Sequence, residues 1–126
     1  MENVNLENIN VMYVKSNNGV QGSKEAFDEL ERHLSTLKGR KFYGVLMNGE
    51  YKACVAMLGN ENTALPCEII PGGKYAREKI LDWMKNLDKI GPLFDSMAAR
   101  SKEDTSRPRI EFYRSLYELI LMLPVR

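Results

Sequence analysis

The chain has 126 residues, of which 44% are hydrophobic, and it carries 18 basic and 17 acidic side chains. This size and composition predict one globular domain, residues 1–126, with a single modest core. A net charge of +1 without a basic stripe argues against nucleic acid as a direct partner. The first residues lack the layout of a signal peptide, and no apolar run approaches membrane-spanning length. We therefore expect a cytoplasmic protein that does not contact membranes.

The cysteines and the single histidine form no recognisable metal or nucleophile motif. Cys54 and Cys67 stand singly in strand-like segments, without a Cys or His partner at metal-ligand spacing, which predicts buried free thiols. His33 lies at the edge of a helical stripe, which favours a helix-surface residue over a ligand or a catalyst. We therefore expect neither a metal nor a cofactor.

The first half of the chain reads as strand, helix, strand, strand. Residues 11–15 are a short apolar run that ends in a dense turn signal, and residues 42–47 and 51–58 flank Asn48-Gly49, a strong hairpin signal. Between them, Ser23 is a candidate N-cap and Gly39 a stop signal. The predicted helix has apolar residues at spacings of three and four: Ala26, Phe27, Leu30, Leu34 and Leu37.

Small residues in the two hairpin strands leave space above the sheet. Gly44, Ala53 and Ala56 are consistent with close helix packing or with a cleft, and the sequence leaves both open. A polar loop at residues 59–63 follows the second strand.

The second half repeats this order. A strand over residues 67–77 is interrupted by Pro71-Gly72-Gly73, where a bulge or an edge kink is expected. A polar loop at residues 101–106 then leads to strands at 107–113 and 117–125. The helix predicted before that loop contains Gly91-Pro92, which predicts a kink or a break. Its apolar residues are Trp83, Leu87, Ile90, Phe94 and Met97.

This order predicts an α+β fold made of duplicated βαββ units. The units share one antiparallel sheet, with two helices packed on one side and a groove between them. A groove of this kind is a natural site for a small molecule.

Glu111 is the residue in this pattern that needs an explanation. Period-two alternation places it on one strand face with Tyr113, while Ile110 and Phe112 lie on the other. A carboxylate among aromatic neighbours either points to water or sits in an apolar site where its charge needs a partner. The residues alone leave both interpretations open.

Several segments, in order along the chain, resemble the GyrI-like small-molecule-binding superfamily, the effector-binding domains of multidrug-sensing bacterial transcription activators. The more specific motifs are Pro-Gly-Gly-Lys-Tyr-Ala at residues 71–76, and Glu-x-Tyr at residues 111–113 ahead of a last strand ending in Pro-Val at 124–125. Residues 42–45 and 51–55 add weaker similarity. The resemblance implies the duplicated βαββ fold and a protein that binds small hydrophobic or cationic molecules.

The resemblance also implies a site. It places Glu111 in the groove, among aromatic rings that meet flat cationic ligands. Ring faces attract cations by about 0.5–2 kcal/mol each, and a cation compensates the cost of a buried carboxylate. The candidate wall residues are Tyr13, Tyr43, Tyr51, Trp83, Phe94, Tyr113 and Tyr117, of which Tyr117 and then Trp83 are preferred.

Two alternative functions remain open. Some members of this superfamily hydrolyse strained electrophiles, and here Glu111 would activate water while Tyr113 or Tyr117 donates a proton. The other alternative is a protein that binds and inhibits a gyrase-like partner, which would require an exposed acidic or apolar surface. Since no helix-turn-helix precedes residue 10, we expect the chain to act alone or through a separate regulator protein.

Overall fold

The computed structural model describes residues 1–59, 61 and 64–126 and contains one eight-stranded antiparallel sheet with two α-helices. The predicted polar loop at 59–63 includes Asn60, Asn62 and Thr63, which lie outside the described residues. The strands are β1 Glu2–Leu6, β2 Ile9–Lys15, β3 Phe42–Met47, β4 Glu50–Ala56, β5 Cys67–Ile70, β6 Gly73–Leu81, β7 Arg109–Tyr113 and β8 Glu118–Pro124. The helices are α1 Ser23–Arg32 and α2 Ile90–Ala99.

The predicted duplication is confirmed, because β2-α1-β3-β4 and β6-α2-β7-β8 follow the same order. The spatial order of the sheet is β1-β6-β8-β7-β3-β4-β2-β5. If each strand is replaced by its counterpart in the other unit, the same order results, read from the opposite edge of the sheet. The units meet where β7 pairs with β3.

Two edge strands join each unit to the other. β1 precedes the first unit but pairs with β6 of the second, and β5 precedes the second unit but pairs with β2 of the first. β1 is not among the predicted strands, because its asparagines are poor strand formers. Only two residues separate β1 from β2, a link that spans about 10 Å at most, so the sheet must curl to bring its edges together.

The two faces of the curled sheet have different neighbours. On the inner face, side chains from both edges and from the centre pack into one cluster that includes Val11, Ile70 and Tyr75. The opposite face, here called the helix face, carries α1 and α2. α1 packs through Ala26 and Leu30, while α2 packs in a separate cluster. The sequence predicts a groove on this face, between the two helices.

The Asn48-Gly49 hairpin is confirmed. Both residues adopt the left-handed backbone conformation, with φ of 52° and 78°, and join β3 to β4. Turns of this geometry match the twist of the paired strands, and asparagine and glycine tolerate it better than other residues.

Both helices are shorter than predicted. α1 ends at Arg32, because Ser35 and Thr36 follow and the Thr36 hydroxyl accepts a hydrogen bond from the Lys38 amide, which competes with helical bonding. His33 is exposed just beyond that helix, as expected.

The second helix is also interrupted, but ahead of Gly91-Pro92, where the sequence predicts a kink or a break. Trp83–Lys85 and Leu87–Lys89 are short 3₁₀ turns, and α2 begins only at Ile90. Pro92 therefore lies in the first helical turn, where its missing N–H needs no partner. Within the described residues, no helix is long and apolar enough to span a membrane.

The two thiols differ in exposure. Cys54 is fully buried, as predicted, and burial raises its pKa to about 12. The prediction was wrong for Cys67, which is exposed. Cys67 lies on the edge strand β5, opposite Met12, whereas α1 packs on β2 and β4.

Candidate functional site

Glu111 lies at the centre of the helix face, in the strand pair that joins the two units. It pairs with Gly44 of β3 on one side and with Leu121 of β8 on the other. Only 3% of its surface is exposed. Of the two interpretations left open by the sequence, the structure selects a carboxyl group held in a largely apolar site.

Two tyrosine hydroxyls donate to the same oxygen of this carboxyl group. Tyr51 of β4 and Tyr113 of β7 each bond Glu111 Oε1 at 2.7 Å, and their hydroxyl oxygens lie 3.3 Å apart. Within the part of the chain that the structure describes, Glu111 Oε2 accepts no hydrogen bond. The carboxyl group is therefore oriented from one side and has acceptor capacity left on the other.

Gly44 creates the space that this arrangement occupies. A Cβ at this position would lie 2.5 Å from Glu111 Oε1 and closer still to the Tyr51 hydroxyl. Any larger residue would therefore displace one of the two groups. At Gly44, the space that the sequence predicts above the small residues is occupied by polar groups, the Glu111 carboxyl group and the Tyr51 hydroxyl.

Further aromatic rings pack against the two tyrosines that bond the carboxyl group. Phe27 of α1 makes edge contacts with Tyr51 and Tyr113, with ring centroids 6.2 and 5.2 Å apart. Trp83, in the first 3₁₀ turn before α2, packs edge-on against Tyr113 at 5.0 Å. Phe27, Trp83 and Tyr113 are half-buried, so the outer surfaces of this aromatic group reach solvent.

The charge state of Glu111 depends on groups other than a cationic side chain within the described part of the chain. No described residue forms an ion pair with it. Arg109, two residues earlier on the same strand face, is held by Glu103 at 2.8 Å and faces Asp95 at 3.6 Å. Burial raises the pKa of Glu111, and the hydrogen bonds from Tyr51 and Tyr113 offset part of that rise.

The same environment makes both tyrosines weaker acids. Burial raises the pKa of Tyr51 well above its ordinary value, and the neighbouring Glu111 raises it further. Burial and Glu111 likewise raise the pKa of Tyr113. The two phenols are therefore suited to donate hydrogen bonds rather than to release protons.

The structure brings together only part of the predicted aromatic wall. Tyr51 and Tyr113 bond Glu111, and Trp83 packs on Tyr113. Tyr13 and Tyr43 instead belong to the inner-face cluster, since Tyr43 pairs across from Phe112 and stacks on it at 5.0 Å. These two rings are therefore on the opposite side of the sheet from Glu111.

The remaining two predicted wall residues do not belong to the group of rings formed by Phe27, Tyr51, Trp83 and Tyr113. Phe94 is 2% exposed and packs in the α2 cluster, where the Arg109 guanidinium lies 5.5 Å from its ring. Tyr117, the preferred wall residue, is 67% exposed in the turn between β7 and β8. It makes no ring contact with Tyr113 or Trp83, because its short turn carries it past the end of the sheet.

The positions of Phe27 and Gly44 in this site are not among the sequence predictions. Phe27 was identified only as part of a helical stripe, and Gly44 only as a source of space. Their roles depend on a helix and a strand from the first unit facing Glu111 of the second. A glycine in an otherwise apolar strand was the available signal.

No candidate metal centre accompanies these groups. Among residues 1–59, 61 and 64–126, no three His, Cys, Asp or Glu side chains are grouped so that they could hold a metal ion.

Comparisons with known proteins identify the fold. No protein-family model and no curated protein matches the sequence. An integron cassette protein from the mobile metagenome of Vibrio cholerae has a similar structure, with a TM-score of 0.73 at 15% identity, over 99% of this chain and 95% of that one.

Two further solved structures are similar over the same extent. A protein solved with bound tetraphenylphosphonium has a TM-score of 0.61 at 11% identity, over 99% of this chain and 93% of that one. A Staphylococcus aureus protein described as a bacterial transcription regulation protein has a TM-score of 0.62 at 14% identity, over 99% and 97% of the two chains. At such low identities the likeness concerns the fold alone. The duplicated βαββ arrangement predicted from the sequence is confirmed at that level.

Proposed function

We propose that this protein binds hydrophobic organic cations beside Glu111. The observation that carries the proposal is a carboxyl group with 3% exposure and no cationic partner among the described residues. An ionised carboxylate in such a site is costly unless a positive charge reaches it. A bound cation would lower the pKa of Glu111 and recover that cost.

The surrounding rings fit the same class of ligand. Tyr51 and Tyr113 fix one carboxyl oxygen, while Phe27, Trp83 and Tyr113 offer aromatic surface that attracts positive charge and tolerates varied outlines. Because Glu111 is covered, binding requires at least one covering ring to move. The binding of tetraphenylphosphonium by one protein of the same fold supports this choice of ligand. The proposal places the protein in the bacterial cytoplasm.

The test is a titration that follows the fluorescence of Trp83, the only tryptophan. Tetraphenylphosphonium should produce a saturable change, whereas tetraphenylborate, with the same outline and the opposite charge, should not. Glu111→Gln should weaken the binding of the cation by about tenfold or more, as expected for a charge-assisted contact.

The matched control is Glu29→Gln, which removes the same charge from an exposed position of α1. It should bind tetraphenylphosphonium as the wild type does. Equal affinities of the wild type and Glu111→Gln would contradict the proposal.

A second candidate function is hydrolysis of a strained electrophile at the same site. Burial raises the pKa of Glu111 toward the range of a general base, and the Tyr113 hydroxyl lies 2.7 Å from it. Binding is preferred, because burial also makes Tyr51 and Tyr113 poorer proton donors. Incubation with an epoxide such as styrene oxide distinguishes the two, since only the hydrolase would form a diol that Glu111→Gln fails to produce.

A further inference from the structure

An exposed apolar surface adjoins Trp83 at one end of the helix face. Met84, Leu116 and Tyr117 are 55%, 68% and 67% exposed. We call these three side chains the ledge. Large apolar side chains exposed together commonly mark a binding surface, whereas single ones need no explanation.

Hydrogen bonds fasten the two segments of the ledge together. The Asp82 amide donates to the Tyr117 carbonyl at 2.6 Å, and the Trp83 indole N–H donates to the Ser115 carbonyl at 3.0 Å. The ledge is therefore a fixed surface made of the 3₁₀ turn and the β7–β8 turn. Leu81 is also exposed, but it follows the alternation of the inner face and is not part of the ledge.

The ledge is continuous with the Glu111 site. Glu111 bonds Tyr113, the Tyr113 ring packs on Trp83, and Trp83 is bonded to the turn that carries the ledge. Tyr113 and Trp83 are half-buried, so two partly exposed rings lie between the carboxyl group and the turn that carries the ledge.

The space beside Glu111 is too small for a bulky ligand. Its surrounding rings already contact one another at centroid distances of 5.0–6.2 Å. A cation that carries several aryl groups must therefore place some of them outside this ring group. On the Trp83 side, the adjoining apolar surface is the ledge.

We propose that the ledge binds the apolar arms of the cationic ligand and so selects large, several-armed cations over compact ones. This inference rests on the proposed function, since the cation beside Glu111 anchors the arms. Glu111 provides the charge recognition, and Met84, Leu116 and Tyr117 provide the size preference.

The experiment compares two cations by calorimetry. Tetraphenylphosphonium has four aryl arms and trimethylphenylphosphonium has one. Replacing Met84, Leu116 and Tyr117 together with serine should weaken the binding of tetraphenylphosphonium by about tenfold and that of trimethylphenylphosphonium by less than about twofold. The substituted side chains are exposed, so we expect the variant to fold.

The matched control is Leu37→Ser, at a leucine that is 46% exposed in the segment after α1. It should leave both affinities unchanged. A ledge variant that binds tetraphenylphosphonium as the wild type does would overturn the inference.

The outcomes separate this inference from the proposed function. If Glu111→Gln weakens the binding of tetraphenylphosphonium but the ledge variant does not, the proposed function stands and the ledge is not a ligand surface. If only the ledge variant weakens it, the ledge contacts the ligand but not as the site for the arms of a cation held at Glu111, which overturns both the proposed function and this inference. A wild type that binds neither cation overturns both.

Self-association is the competing explanation of an exposed apolar surface. Size-exclusion chromatography of the same samples tests it. A dimeric wild type and a monomeric ledge variant with unchanged ligand affinities would assign the ledge to a second copy of this chain and overturn the inference.

Discussion

The two βαββ units share one architecture but differ at the residue pair where they meet. β7 carries Glu111 at this position, and β3 carries Gly44 directly opposite. The second unit therefore supplies the carboxyl group, and the first supplies the space above Gly44 and the hydroxyl of Tyr51. A nearly symmetric sheet acquires one polar centre because one unit lacks a side chain where the other has an acid.

The largest effect is expected from filling the space at Gly44, which removes the difference between the two units at this position. Gly44→Ala should destabilise the protein by roughly 2–3 kcal/mol, because the new Cβ would overlap Glu111 Oε1 and the Tyr51 hydroxyl. It should also weaken the binding of tetraphenylphosphonium. Urea denaturation measures the stability change.

The control for this substitution is Gly91→Ala. Gly91 lies in the first turn of α2, and a Cβ there would meet nothing within 4 Å. We expect a change between zero and about 1 kcal/mol in the stabilising direction. Equal stabilities of the two variants would show that the space at Gly44 does not matter.

Removing the hydroxyl that the first unit contributes should have the next largest effect. Tyr51→Phe takes away one of the two donors to Glu111 Oε1 and should cost about 2 kcal/mol in unfolding free energy. Tyr43→Phe is the matched control, since Tyr43 is also buried but its hydroxyl bonds to no described residue. Its cost should stay below about 0.5 kcal/mol, and a larger loss for Tyr43→Phe than for Tyr51→Phe would contradict the assignment.

The smallest expected effect is the pH dependence contributed by Glu111. Its pKa in the folded protein is raised above the ordinary value of 4.5. Above pH 4.5 the unfolded chain loses this proton while the folded protein keeps it, so stability falls as the pH rises toward the folded pKa. For this single group, the unfolding free energy cannot change by more than about 1.4 kcal/mol per pH unit.

Comparing the wild type with Glu111→Gln isolates this contribution. Other carboxyl groups, such as Asp104 with its pKa lowered to about 2, act at lower pH with the opposite sign and are common to both proteins. The stability difference between the two proteins, measured by urea unfolding, should change across the window above pH 4.5. A constant difference would mean that the pKa of Glu111 is not raised. Over the same window, the binding of tetraphenylphosphonium by the wild type should tighten as the pH rises.

Local patterns predicted much of this fold. The hairpin at Asn48-Gly49, the break at Pro71-Gly72 and the duplicated order of strands and helices depend on residues within a few positions of one another. The alternation in β7 placed Glu111 and Tyr113 on one face, as observed. β1 was not predicted, because its residues have a weak local preference for a strand and it forms only by pairing with β6.

The sequence by itself determined most of the elements, the duplicated order and the face on which Glu111 lies, because backbone periodicity and turn chemistry act locally. Tertiary structure alone decided that Gly44 faces Glu111, that Tyr51 donates to it across 60 positions of the chain and that Phe27 packs on the two tyrosines that bond it. It also placed Tyr13 and Tyr43 on the inner face. These contacts follow from the register between strands and from the curl of the sheet, which couple residues distant in sequence and leave no local pattern in it.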